Sequence, residues 1–244
     1  MRRTVTALVV LTATAGVGLA AADEGGATRS AVVERVVATF DPANFDNPKR
    51  NPYFPTNPGH TTVLRGSEDG ERFVDRVHVT YRTKLILGVP ARVFNDVVRT
   101  ADGKVVERTK DWYAADNDGN VWYLGENTAT YDENGHLESR EGSWRAGVDG
   151  AVPGLIMPAN PHATLAYRQE FLRGEAEDQA WIVGRGATVR TPARTFHHVV
   201  RSFEWTRLEK NVLSLKLYAR GVGIVHEHEM SGGNENFVLV RVHD

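Results

Sequence analysis

Three glycines stand at even intervals in the middle of the chain. Gly103 follows Asp102, Gly119 follows Asp118 and Gly135 follows Asn134, each 16 residues beyond the last. Asp-Gly and Asn-Gly pairs accept the positive φ that tight hairpin turns require. The interval leaves room for one strand of roughly a dozen residues plus its turn, the period of antiparallel strands folded back on one another. Parallel strands need a longer crossover and do not fit this interval. Residues 104–144 therefore read as part of a β-meander.

The same texture runs through most of the chain. Residues 61–65, 72–83, 84–99, 105–113 and 121–131 are rich in Val, Thr, Tyr and Trp and read as strands, as do 167–172, 180–189, 196–208, 211–218, 223–230 and 236–242. Helix is expected only within 31–40 and near 175–180. Long strands rarely stay flat, and Gly88-Val89-Pro90 and Gly125 mark bulges or bends. The expected fold class is all-β: an antiparallel β-meander forming a strongly curved sheet or barrel, with a proline-rich N-terminal arm. On residues 121–126, Val121 and Tyr123 face one way and Trp122 and Leu124 the other, so both faces of this strand need cover. Two segments can supply it. One is the arm at 41–59, where Pro42, Pro48, Pro52, Pro55 and Pro58 forbid regular helix and Tyr53 and Phe54 serve as apolar pegs. The other is the irregular stretch 142–166, apolar but broken by glycine and proline, read either as a plug for the open end of the barrel or as a ligand-binding loop.

Met1-Arg2-Arg3, the apolar run 5–20 and the small residues Ala20-Ala21-Ala22 have the layout of a secretory signal. Export with cleavage near Ala22 is expected, leaving residues 23–50 as a flexible leader and the start of the arm, and 51–244 as one β domain. The run is shorter and more diluted by Thr and Gly than the roughly 20 apolar residues of a spanning helix, and no membrane span is expected after cleavage. The chain has no cysteine, so stability must come from burial or a bound ion. Cleavage would move the formal charge from −2 to −4, with no basic surplus to follow a phosphate backbone, and nucleic acid is not expected as a partner.

Three patches carry a resemblance. Asn51-Pro52-Tyr53-Phe54-Pro55 with Pro58-Gly59 opens the domain, and Tyr218-Ala219-Arg220-Gly221-Val222-Gly223-Ile224-Val225 lies near its end. Between them stand Asp111-Trp112-Tyr113-Ala114, Gly119-Asn120-Val121-Trp122-Tyr123 with Gly125-Glu126, and Pro153-Gly154-Leu155-Ile156-Met157-Pro158-Ala159. Together they resemble exported bacterial β-rich proteins of unknown function, the DUF3108-like / TapB-like group. Thr62 and Leu64 replace that group's Trp and Tyr, so the first strand departs from the pattern. The resemblance implies an envelope or secreted location and a curved antiparallel sheet, and brings no catalytic residues.

Two motifs invite a metal. Asp116, Asp118 and Asn120 alternate oxygen donors as a calcium loop does at its start, but Val121 and Asn127 stand where an EF-hand needs glycine and a carboxylate. An acidic hairpin tip explains them as well. His226 and His228 share one face of a strand with Glu227 and Glu229 on the other, a start for zinc or copper if His197, His198 or His243 completes the set. A mixed polar strand explains that pattern too. Gly221-Val222-Gly223 lacks the third glycine and the helix of a dinucleotide site and reads as close packing within a strand. There is no Gly-x-Ser-x-Gly, and the carboxylates Glu126, Asp149, Glu170, Glu177 and Asp178 cannot be paired from sequence.

Two functions follow. The first is a non-enzymatic ligand-binding or envelope-associated module that holds a small apolar or mixed ligand, with Trp122, Trp144, Met157 and Tyr167 around the mouth. The alternative is a metal-dependent, hydrolase-like enzyme built on the His-x-His pair.

Overall fold

The computed structural model describes residues 38–244. The expected signal sequence, the expected leader up to residue 37 and most of the segment 31–40 lie outside the described residues. The chain forms fourteen strands: β1 (Thr61–Glu68), β2 (Glu71–Ile86), β3 (Val89–Thr100), β4 (Val105–Ala115), β5 (Val121–Tyr131), β6 (Leu137–Ser139), β7 (Trp144–Arg145), β8 (Gly154–Met157), β9 (Leu165–Arg168), β10 (Asp178–Arg190), β11 (Thr195–Thr206), β12 (Leu213–Ala219), β13 (Gly223–Ser231) and β14 (Asn236–His243). Hydrogen bonding runs in the order β6-β5-β4-β3-β2-β1-β14-β13-β12-β11-β10-β9, with β7 and β8 both attached to β5. Every pairing is antiparallel. Along that path every adjacent pair is sequential except β14–β1, so the two meanders, β1–β6 and β9–β14, join through the first and last strands.

The glycine turns fall where their spacing puts them: Gly103, Gly119 and Gly135 all have positive φ and separate β3 from β4, β4 from β5 and β5 from β6. One boundary moves. The expected break at 83/84 lies inside β2, and the hairpin turns at Leu87-Gly88, both with positive φ. The Gly-Val-Pro signal is therefore a turn rather than a bulge, and β3 begins at its valine. Gly125 is a true irregularity. Its φ is +130°, the β4–β5 register slips beside it, and a Cβ there would meet the Trp144 carbonyl oxygen at 2.4 Å. Gly221 and Gly223 flank the β12–β13 turn rather than a strand interior. The 175–180 neighbourhood is a turn leading into β10, with no helix.

The sheet curls until its two flanks meet without a continuous ladder. On one side stands β8, hydrogen-bonded to β5; on the other is the connection from β9 to β10. Across this seam Val152 bridges Phe171, and Gly154 lies so close to the opposite backbone that a Cβ would fall 2.0 Å from the Gln169 carbonyl oxygen. The irregular segment 142–166 is thus largely wall, since its short strands β7 and β8 extend β5.

Residues 49–60 close one end of the curl. Lys49 N donates to Asp116 O and Asn51 Nδ2 to Gly119 O and Pro158 O, at the β4–β5 turn and the end of β8. Farther on, Gly221 N donates to Pro52 O and Gly59 N to Val79 O. Tyr53 is buried with Val121, Met157, Ile182, Val200 and Tyr218. Just before this stretch Phe40 and Phe45 pack on Trp122 and its neighbours, against a cluster that includes Trp112, Leu124, Ala146 and Leu155. These contacts cover both faces of the start of β5, where Val121, Trp122, Tyr123 and Leu124 are all buried.

Gly154→Ala tests the seam. The added methyl group has to displace backbone, so the variant is expected to lose about 1–3 kcal/mol in urea denaturation. An unchanged midpoint would show that the flanks are free to separate.

Candidate functional site

Alternation along the strands decides what faces the inside of the curl. On β4, Glu107, Thr109 and Asp111 are buried while Arg108 and Lys110 are exposed. Glu107, Thr109, Asp111 and Tyr113 all line a cavity of about 290 Å³ on the inner side of the curved sheet. Its wall continues with Asp75, Val77 and Val79 of β2, Phe94, Asp96 and Val98 of β3, and Tyr123 and Glu126 of β5. Across the cavity stand Gln169, Glu170 and Asp178, then Glu204 of β11, Lys216 and Tyr218 of β12, and Glu227 and Glu229 of β13. Phe54, Pro55 and His60 form its floor from the segment that closes the end. Thirteen carboxyl side chains line this cavity against one ammonium, that of Lys216.

The carboxyls lie in two settings. On the β11–β13 side, Lys216 faces Glu227 across the β12–β13 ladder, and its Nζ lies 3.6 Å from Glu227 and 3.4 Å from Glu204. The Tyr218 hydroxyl donates to Glu204 at 2.7 Å. Burial opposes the charge of Lys216, but Glu204 and Glu227 outweigh it and hold the pKa above the ordinary value.

The β2–β5 side has no such cation. Asp111 and Glu126 are direct cross-strand partners, an unfavourable placement if both are ionised. The Tyr123 hydroxyl lies 2.7 Å from Asp111 and 3.0 Å from Glu126. It has one proton to donate, so the second contact requires a proton on a carboxyl. Asp75 and Asp96, diagonal across β2 and β3, share a hydrogen bond and need a proton between them in the same way. Burial, reinforced by Asp96, lifts Glu107 to about 8. Burial likewise lifts Asp75 to about 7 and Asp111 to about 6, against the hydrogen bonds from Asp96 and Tyr123. Asp96 and Glu126 rise well above the carboxylate range, through burial and then through Asp75 and Asp111 respectively. Glu170, bound by the indole N–H of Trp144 at 2.7 Å, also rises through burial and then Asp178.

Several buried polar atoms lining the cavity have no hydrogen-bond partner: Asp75 Oδ1, Asp96 Oδ1, Glu107 Oε2, Asp178 Oδ1 and Gln169 Nε2. Glu107, Asp178 and Gln169 are only 7%, 8% and 3% exposed. An unmet polar atom in such a place costs about 1–3 kcal/mol.

The residues singled out from sequence fall elsewhere. Trp122 and Trp144 are buried in the cluster on β3–β5, Met157 is fully buried with Tyr53 and Ile182, and Tyr167 is half-buried against the same group, its hydroxyl 3.4 Å from Ile156 O. None of the four lines the cavity. Of the carboxylates noted in the sequence, Glu126, Glu170 and Asp178 converge on the cavity, whereas Asp149 is exposed and Glu177 accepts from Gly174 N in a surface turn. Asp75, Asp96, Glu107 and Asp111 were missed. Their signal was phase: each stands two residues from a cavity-facing apolar or hydroxyl side chain, as in Asp75-Arg76-Val77-His78-Val79.

The metal motifs have structural partners. Asp116 Oδ1 accepts from the backbone N–H groups of Asp118, Gly119 and Asn120, and its Oδ2 from Asn120 Nδ2 and the Trp122 indole. Asp118 accepts from Asn44 Nδ2, and Asn120 Oδ1 from Ala159 N. His226 and His228 stack at 4.8 Å outside the cavity, with His226 Nε2 2.8 Å from Asn236 Oδ1. Among the described residues no group of three or more His, Cys, Asp or Glu is placed to hold a metal ion.

The raised carboxyls fix a pH dependence. In the folded protein Glu107 and Asp75 keep their protons to about 8 and 7, whereas in the unfolded chain they ionise near 4. The folded state therefore binds more protons over that interval, and its stability is complete below about 4 and falls as pH rises. The melting temperature is expected to drop on the order of 10 °C between pH 5 and pH 9. Glu107→Gln, which holds the neutral form, should flatten the decline. A melting temperature that climbs over this range would refute the account.

No protein-family model matches the chain, that of the DUF3108-like / TapB-like group included, and no curated protein matches it. Solved structures do. A protein from Bacteroides fragilis, proposed to be exported and described as having a YmcC-like fold, aligns with a TM-score of 0.45 at 16% identity over 79% of this chain and 99% of its own. A protein from Parabacteroides distasonis, proposed to be a lipoprotein, aligns with a TM-score of 0.43 at 13% identity over 80% of this chain and all of its own.

Proposed function

We propose that the protein is an exported, non-enzymatic binding module that holds one small ligand of mixed polar and apolar character inside its curved sheet. The observation that carries this reading is the cavity of about 290 Å³ on the inner side of the curved sheet, with carboxyls on much of its wall and Phe54, Leu64, Phe94, Val98 and Phe237 between them. Its volume lies just under the range of about 300–1,000 Å³ typical of small-molecule sites, and it shares with them a lining that mixes apolar and polar side chains. Export is supported by the charged start, apolar run and Ala20-Ala21-Ala22 of the sequence.

A thermal-shift screen of small polar and amphipathic metabolites tests the reading. A ligand at a hundred times its Kd should raise stability by about 2.7 kcal/mol. Val77→Trp, which fills the cavity from β2, should fold and lose that response. If no compound stabilises the wild type, or if the filled variant responds equally, the cavity is not a binding site.

A further inference from the structure

Lys216 shows how this interior accommodates an ammonium group. It is inserted between Glu204 and Glu227, with Tyr218 steadying Glu204 from behind. The facing wall repeats the acidic half of that arrangement without the cation. Asp75, Asp96, Glu107, Asp111 and Glu126 stand on four adjacent strands, and no lysine or arginine of β2–β5 lines the cavity. Glu107 Oε2, Asp75 Oδ1 and Asp96 Oδ1 have no donor there, and Asp178 Oδ1 has none across from them.

Four of the five unmet atoms lining the cavity are carboxyl oxygens, which become acceptors alone once a bound cation draws off their protons. A polyhydroxylated ligand brings donors and acceptors in equal measure and would leave the imbalance in place. A metal ion needs several oxygens converging on one point, and none do so among the described residues. The two inward carboxyls of β4, Glu107 and Asp111, are instead four residues and so roughly 13 Å apart along the strand, with apolar side chains of β2 and β3 lining the same cavity. That layout suits a donor-rich head group on an aliphatic body.

We propose that the wall formed by Asp75, Asp96, Glu107, Asp111 and Glu126 binds the ammonium group of a small linear amine, whose methylene chain lies along Val77, Phe94 and Val98. The inference rests on the reading of the cavity as a ligand site and adds the chemical class of the ligand. An ammonium brings three donors and no acceptor, the complement of this wall.

Calorimetric titration of the folded protein at pH 8 with cadaverine, with spermidine and with the diol of cadaverine's chain length tests it. The amines are expected to bind with one-to-one stoichiometry and the diol not at all. Glu107→Gln and Asp96→Asn, each confirmed to melt cooperatively, should each weaken cadaverine about 10- to 100-fold, as expected for loss of one charge-assisted contact. Val77→Trp should abolish binding. Equal affinity for the diol overturns the ammonium assignment, as does cadaverine binding that neither Glu107→Gln nor Asp96→Asn weakens, which would place the amine on the outer surface. If neutral metabolites stabilise the wild type and amines do not, the cavity remains a ligand site and only its assignment to amines falls. If nothing binds and Val77→Trp changes nothing, both readings fall together.

Discussion

The desolvation of carboxyl groups governs this structure. A curved antiparallel sheet ordinarily fills its concave side with apolar side chains, yet here that side carries a row of Asp and Glu. Taking an ionised carboxylate out of water costs several kcal/mol even after relaxation, so the interior is tolerable only where protons or a cation neutralise it. Lys216 offsets part of the charge on the β11–β13 side, beside Glu204 and Glu227. On the β2–β5 side shared protons do so, through the Asp75–Asp96 contact and the single hydroxyl of Tyr123 between Asp111 and Glu126.

That interior displaces much of the apolar packing to other places. Trp112, Trp122 and Leu124 pack with Phe40, Phe45, Ala146 and Leu155 in one cluster, and Tyr53, Met157, Ile182 and Tyr218 form another where residues 49–60 close the end. The elements that look peripheral in topology therefore supply burial that the concave face cannot. β7 and β8 do the same for the sheet itself, extending β5 toward the seam where Gly154 lets the Gln169 backbone approach.

Most of the fold was legible in the sequence because turn chemistry is local. Asp102-Gly103, Asp118-Gly119 and Asn134-Gly135 turn where their pairs require positive φ. The β2–β3 hairpin was misplaced because Leu87, a poor candidate for positive φ, shares its turn with Gly88, and the adjacent proline read as an interruption. The site was much less legible. Period-two alternation assigns residues to faces but does not say which face is inside, and Glu107-Arg108-Thr109-Lys110-Asp111 looks like a solvated strand on either assignment. Trp122, Trp144 and Met157 look like a ligand-binding set because they are apolar and close in sequence to a loop, and they are instead part of the packed wall behind the cavity.

The acidic interior is difficult to explain as a stability device. Buried ion pairs and polar networks are often neutral or unfavourable beside apolar residues of the same size, and several of these carboxyls are not paired at all. Val or Leu at 75, 96 and 107 would suit the phase of β2–β4 as well and would remove three of the unmet oxygens. In a chain with no disulfide, such groups weaken a fold that has little other reinforcement. Violations of local packing logic of this kind concentrate where function demands them. The same reasoning separates the two sides of the cavity: Lys216 pairs with Glu204 and Glu227 within the chain, whereas along β2–β5 Asp75 Oδ1, Asp96 Oδ1 and Glu107 Oε2 have no hydrogen-bond partner.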